Sequence, residues 1–135
     1  FRFFNIYGER MPYVGAYAPV IAIFTNQKKR GESMTITGDG EQRRDFIYVK
    51  DVVRALSLSL NIKYTLEDNV LNLGTGTNYS VNQIAEMLGE DSTFIAAREG
   101  DARETLASID DTKSVLDWAP ETKVNQWVKK YNDSN

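Results

Sequence analysis

Apolar positions along the chain fall into short stretches that alternate between strand-like and helix-like spacing. Residues 1–7 mix aromatic and polar side chains and meet Gly8, which predicts a strand closed by a turn. Residues 9–17, with Pro12 and Gly15, read as a loop. Pro19 suits the first turn of a helix reaching about Arg30, with Val20, Ile21 and Phe24 on one face and Gly31 as its stop. Residues 33–37 form a short β-branched strand ended by Gly38-Asp39-Gly40, a strong turn signal. A second strand is expected over 46–49. Asp51 then caps a helix over about 52–61 that points Val52, Val53, Leu56 and Leu60 inward. The largely apolar run 70–73 before Gly74-Thr75-Gly76 fits a buried parallel strand. Ser80 caps a helix whose Val81, Ile84, Ala85 and Leu88 recur at i, i+3, i+4 and i+7, and 94–97 reads as a strand. Val115-Leu116, and then Val124, Trp127, Val128 and Tyr131, mark two final helices. Trp118 and Trp127 read as core anchors, and 132–135 is expected to fray. Strands alternating with helices give an α/β fold, taken as one domain over 1–135.

Composition narrows the chemistry. The 135 residues are 41% hydrophobic and 26% charged, enough for a core and ordinary for a soluble domain. There is no cysteine and no histidine, which excludes disulfides, thiolate or imidazole zinc sites, a Cys nucleophile and a Ser-His-Asp triad. A net charge of −3 argues against non-specific nucleic-acid binding. The longest apolar run, 18–24, is far too short to span a bilayer. The first residue is Phe1, inside a β-like run and without a secretory leader, so the chain is expected to be a piece of something larger. The lack of cysteine fits a reducing cytoplasm.

Several polar groups are candidates for function, each with a structural alternative. Gly38-Asp39-Gly40 and Gly74-Thr75-Gly76 either make turns or let a ligand approach the backbone. Neither is a GxGxxG, and no GxxxxGK[ST] occurs, so a dinucleotide or P-loop site within this chain is not expected. Arg43-Arg44-Asp45 and Arg98-Glu99-Gly100-Asp101 each adjoin a predicted strand. Their guanidinium forks suit a phosphate, or they pair with neighbouring carboxylates on the surface. Asn5 either bonds nearby backbone or offers its amide to an anion.

Taken together, five blocks in order resemble the extended short-chain dehydrogenase/reductases that act on nucleotide sugars. Residues 2–10 (RFFNIYGER) resemble their "RYFNVYGPR", and residues 38–49 (GDGEQRRDFIYV) resemble "GDGxQxRDFIYV". Asn72-Leu73-Gly74-Thr75-Gly76 is similar to "NxGTG", Arg98-Glu99-Gly100-Asp101 to "RPGD", and Val115-Leu116-Asp117-Trp118 with Pro120 to "LLGWxP". The UDP-glucose 4-epimerase-like branch is the nearest in pattern. The resemblance implies a C-terminal substrate-binding domain carrying the last strands of a Rossmann sheet, with the N-terminal Rossmann half missing. That half would hold NAD and supply a Tyr-x-x-x-Lys pair. None of Tyr7, Tyr13, Tyr17, Tyr48, Tyr64, Tyr79 and Tyr131 has Lys four residues on, so no catalytic residue and no bound NAD are expected on this chain.

The resemblance also implies a grip on a nucleoside-diphosphate sugar. Asn5 would lie at the pyrophosphate, Arg44 and Arg98 would hold phosphates, and Asp101 would accept from a ribose hydroxyl. Backbone groups of Thr35 and Thr37 would read the base. The implied function is substrate binding within an NAD-dependent epimerase. The alternatives are a dehydratase or decarboxylase of the same superfamily, or a non-catalytic binding module. A homodimer is implied for the intact enzyme, and self-association is expected of this piece through its uncovered sheet edge. The sequence departs from the family pattern at Phe3 (usually Tyr), Glu9 (Pro), Met11 (Gln), Glu99 (Pro), Ser108 (Asp) and Asp117 (Gly).

Overall fold

The computed structural model describes residues 1–15, 17–62, 70–89 and 91–134. Tyr64 therefore lies outside the described residues. The strands are β1 (Arg2–Phe3), β2 (Asn5–Tyr7), β3 (Met34–Thr37), β4 (Arg43–Tyr48), β5 (Asn72–Leu73), β6 (Asn78–Ser80) and β7 (Ser92–Ile95). The helices are α1 (Val20–Lys29), α2 (Val49–Ser59), α3 (Val81–Leu88), α4 (Asp110–Leu116) and α5 (Val124–Asp133). The α/β expectation holds. β2 runs parallel to β4 with Asn5 opposite Phe46, and β6 pairs antiparallel on the other side of β4 with Tyr79 opposite Arg44. β1 runs parallel to β5, and β3 runs parallel to β7 with Thr35 opposite Thr93.

β4 divides the interior because its side chains alternate between two cores. Phe46 and Tyr48 enter a cluster with Phe24 of α1, Met34 and Ile36 of β3, Ile84 and Leu88 of α3 and Val128 of α5. Ile47, between them, enters a second cluster with Val52 and Ala55 of α2, Leu71, Leu73 of β5, Leu116 and Trp118. Trp118 is the largest fully buried side chain, and its Nε1 donates to Asp51 O at 3.1 Å. Trp127 is only half-buried, stacked on Tyr131 and edge-on to Tyr7.

Several boundaries differ from the sequence expectation for physical reasons. The opening strand breaks at Phe4 because it changes partner, from β5 to β4. β4 begins at Arg43, since three polar residues that look loop-like alone find an antiparallel partner in β6. β7 starts at Ser92 rather than 94 and is exposed along its whole length, so no core imposed an apolar pattern on it. Asp51 does not cap α2. The helix starts at Val49, and Asp51 in its first turn accepts from Thr122 N–H at 2.9 Å and from Arg54 Nη2 at 3.0 Å. The inward face also differs: Val52 and Ala55 are buried, whereas Val53, Leu56 and Leu60 are 55%, 37% and 86% exposed. α5 continues through Asn132, whose Nδ2 donates to Met87 O at 3.0 Å, so order extends into the segment expected to fray.

The helix signals with a mechanism behave as expected. Ser80 and Gln83 form a reciprocal capping box, with Gln83 N–H donating to Ser80 Oγ at 3.1 Å and Ser80 N–H to Gln83 Oε1 at 2.9 Å. Asp117 closes α4 in the left-handed region (φ 46°, ψ 49°), at the position where the resembling family carries glycine. A side chain there is disfavoured, whereas glycine carries no such penalty. We expect Asp117→Gly to stabilise the fold by about 0.5–1 kcal/mol in urea denaturation. A destabilised variant would mean that the Asp117 carboxylate does more than close the helix.

Candidate functional site

A cleft of about 740 Å³ opens between β2, β3, β4, α1 and the loop after β7. Period-two alternation on β4 decides which polar side chains reach it. Arg44 and Phe46 line the cleft, while Arg43 and Asp45 point the other way. Asn5, Thr35, Thr37, Arg44, Arg98 and Asp101, scattered from position 5 to position 101, all line this one cavity. Ile6, Pro19, Val20 and Ile23 add apolar lining, so a ligand here would meet both charged and apolar groups.

Arg44 is the less exposed of the two arginines. Its side chain is 15% exposed; Nη2 donates to Asp101 Oδ1 at 2.5 Å and Nη1 to Arg43 O at 2.7 Å. A guanidinium has five N–H groups, so donors remain for an incoming anion. Asp101, expected to take a ribose hydroxyl, already serves as the ion-pair partner of Arg44, which fixes the fork in the cleft. Arg98 is exposed on the same loop with Glu99 beside it. Asn5 spends its Nδ2 on Asp45 O at 3.0 Å, the structural alternative for that residue, while still lining the cleft.

The other motif residues build the walls. Asp45 is fully buried, and its carboxylate accepts from Thr75 N–H at 2.8 Å, Thr75 Oγ1 at 2.7 Å, Gly76 N–H at 2.9 Å and Ala107 N–H at 3.2 Å. The Gly74-Thr75-Gly76 loop thus cradles an anion, but the anion is the protein's own side chain. Gly74 has to be glycine, because a Cβ there would sit 2.4 Å from Ala107 Cβ and 2.9 Å from Asp45 Oδ2. Arg43 is structural too: Nε donates to Asn78 Oδ1 at 2.8 Å and Nη2 to Asn78 O at 3.0 Å. In the other glycine motif Gly40 lies at φ 73°, and an added Cβ would fall 1.9 Å from Asn82 Oδ1. Arg103 closes this turn from outside with a two-point pair to Asp39, which holds the Asp39 carboxyl below its usual range. Glu9, a departure from the family pattern, lies outside the cleft lining. It accepts the Tyr48 hydroxyl at 2.9 Å, and burial together with this bond pushes the phenol up to about 12.

Two glutamines hold the Thr35–Thr37 strand at the site. Gln27 of α1 donates from Nε2 to Thr35 Oγ1 at 3.0 Å and accepts Thr35 N–H on Oε1 at 3.2 Å. Gln42 donates from Nε2 to Thr37 O at 2.9 Å. Gln42 stands inside the second family block, whereas a polar residue on an amphipathic helix, such as Gln27, carries no signal of its own.

The model of the NAD dependent epimerase/dehydratase family matches residues 1–74. The chain belongs to that family. Its fold superposes on the UDP-glucose 4-epimerase of Thermotoga maritima, solved with UDP-glucose, at a TM-score of 0.87 and 35% identity, covering 98% of this chain and 43% of that one. The UDP-glucuronate 4-epimerase of Thermodesulfobacterium geofontis is 35% identical over 96% of this chain and 40% of its own length. UDP-glucuronic acid decarboxylase 1 of Xenopus tropicalis is 29% identical over 96% of this chain and 31% of its own. The chain therefore spans less than half the length of each of these three relatives. No helix among the described residues is long and apolar enough to cross a membrane.

Proposed function

We propose that this chain is the nucleotide-sugar-binding portion of an NAD-dependent nucleotide-sugar epimerase, with the diphosphate held between Arg44 and Arg98. The observation that supports this most is the convergence of both arginines, Asn5, Asp101, Thr35 and Thr37 on one cleft that is also lined by apolar side chains. Two guanidinium forks complement a doubly charged diphosphate. A grip on the nucleotide end leaves the sugar free to turn, which suits an epimerase. Isothermal titration with UDP tests the reading: we expect saturable one-site binding, and a chain that binds neither UDP nor a UDP-sugar overturns it. The Xenopus decarboxylase similarity keeps a decarboxylase or dehydratase parent as the second reading. The two share this grip and differ in chemistry carried elsewhere.

NAD does not fit the described residues of this chain. The glycine loop that could approach a dinucleotide has its N–H groups committed to Asp45, and no Tyr-x-x-x-Lys occurs. By the family's description, NAD would belong to the rest of the parent protein, where the chemistry would also reside. A cysteine-free chain of this kind suits a cytoplasmic parent, and a homodimeric parent fits the resemblance. Among the described residues, β1 is paired on one edge only, and Phe1, Phe3, Val70, Val53 and Leu60 are between 42% and 86% exposed. Left without the remainder of such a parent, this surface favours association of copies. We expect sedimentation equilibrium to show concentration-dependent oligomers, and a monomer at high concentration would refute that expectation.

A further inference from the structure

The open edge of β3 is not a bare strand edge. Met34 N–H donates to Asp91 O and Gly38 N–H to Ile95 O, so the backbone groups of residues 34, 36 and 38 face β7. Those of Thr35 and Thr37 face the opposite way, toward the cleft that both residues line. Read along the strand, that edge offers Thr35 N–H, Thr35 C=O, Thr37 N–H and Thr37 C=O. The two outer groups are taken. Thr35 N–H donates to Gln27 Oε1, and Thr37 C=O accepts from Gln42 Nε2. Among the described residues, one acceptor and one donor remain between them.

We propose that Gln27 and Gln42 are positioning residues that bracket the β3 edge and so fix the register in which a nucleobase pairs with it. This deepens the nucleotide-binding reading and rests on it. An unbracketed edge would present the same donor–acceptor alternation in several registers, so that bases of different hydrogen-bond pattern could slide to find a match. With both outer groups occupied, only a base that places a donor against Thr35 C=O and an acceptor against Thr37 N–H, in one position relative to the arginine-held diphosphate, keeps all its polar groups paired. The imide edge of uracil supplies adjacent N–H and C=O groups of that kind. In cytosine the ring nitrogen at the same place is an acceptor and would face Thr35 C=O. Gln27 is additionally held by Thr35 Oγ1 at 3.0 Å, so its amide is fixed in one orientation.

The two brackets act in opposite senses, which gives the test its discrimination. At position 27 the side chain accepts from the backbone, and at position 42 it donates to it. A glutamate can accept but cannot donate when ionised. The experiment measures the ratio of CDP to UDP dissociation constants, with pyrophosphate as a ligand that cannot read the edge, and thermal unfolding to show that each variant folds. We expect Gln27→Leu and Gln42→Leu to shrink the CDP/UDP ratio about tenfold or more, roughly the 1–3 kcal/mol cost of one unpaired buried polar group. Gln27→Glu should retain the ratio, whereas Gln42→Glu should lose it. Folded variants that all keep the wild-type ratio, or that lose it equally with Glu at either position, overturn the bracket while leaving the nucleotide reading intact. A wild-type chain that binds pyrophosphate as tightly as UDP shows that no base is read, which overturns the bracket alone. A wild-type chain that binds none of the three ligands overturns both.

Discussion

Replacing Asp45 with asparagine should destabilise this chain by about 3–5 kcal/mol, a third or more of the stability of a typical domain. The reason is the number and kind of groups aimed at it. One carboxylate oxygen accepts from Thr75 N–H and Thr75 Oγ1, the other from Gly76 N–H and Ala107 N–H, in a site with no exposure. Asparagine is nearly the same size, but its NH₂ must face backbone donors, Thr75 N–H in one orientation of the amide or Gly76 N–H and Ala107 N–H in the other. One or two buried N–H groups are left unpaired, depending on the orientation, and every bond that remains loses its charge assistance, which is worth roughly 1.5–3 kcal/mol per bond to a charged group. Asp45 also ties β4 to the loop after β5 and to the segment that follows Thr105, so local disorder there is expected as well. The urea midpoint and slope of Asp45→Asn against the unaltered chain measure the effect. A loss below about 1 kcal/mol would show that the four bonds contribute far less than their geometry implies.

The second large effect falls on binding rather than stability. Arg44→Ala should weaken UDP binding by about 10- to 100-fold, since charge-assisted bonds from a mostly buried fork contribute roughly 1.5–3 kcal/mol. Arg98 is exposed, so solvent and salt screen it, and its removal should cost only about 2- to 5-fold. The inequality follows from burial, because Arg44 is 15% exposed and pre-oriented by Asp101. Calorimetric titration of both variants checks it. Equal losses at the two positions would mean that Arg98 becomes buried on binding, and no loss at Arg44 would remove the diphosphate from this end of the cleft.

The parts of the fold that were legible in the sequence are those with a local cause. α3 was readable from the Ser80 cap and the 3.6-residue recurrence of Val81, Ile84, Ala85 and Leu88, and all five of these residues are buried. β7 was placed two residues late because it is held by pairing with β3 and not by a core. α2 carries two apolar stripes. Sequence cannot tell which of Val52–Ala55 and Val53–Leu56–Leu60 meets the interior, and tertiary contacts with Trp118 and Leu73 choose the first.

The cleft was legible only through the family resemblance. Its residues are far apart along the chain, and nothing in their spacing brings Asn5, Thr35, Arg44 and Arg98 to one wall. The same fold separated neighbours that sequence treats alike. Arg43 and Arg44 are adjacent and identical in type, yet strand alternation sends one to Asn78 and the other into the cleft. The role of Gln27 emerges only once α1 lies across β3.

In the proposed complex a nucleoside diphosphate sits in this cleft with its phosphates on Arg44 and Arg98 and its base on the Thr35–Thr37 edge. A nitrogen-15 correlated NMR titration with UDP tests it most directly, following the Nε–H of both arginines and the backbone N–H of Thr37. We expect all three resonances to shift and to saturate on a single binding curve. Saturation elsewhere in the molecule while these three stay still would contradict the claim.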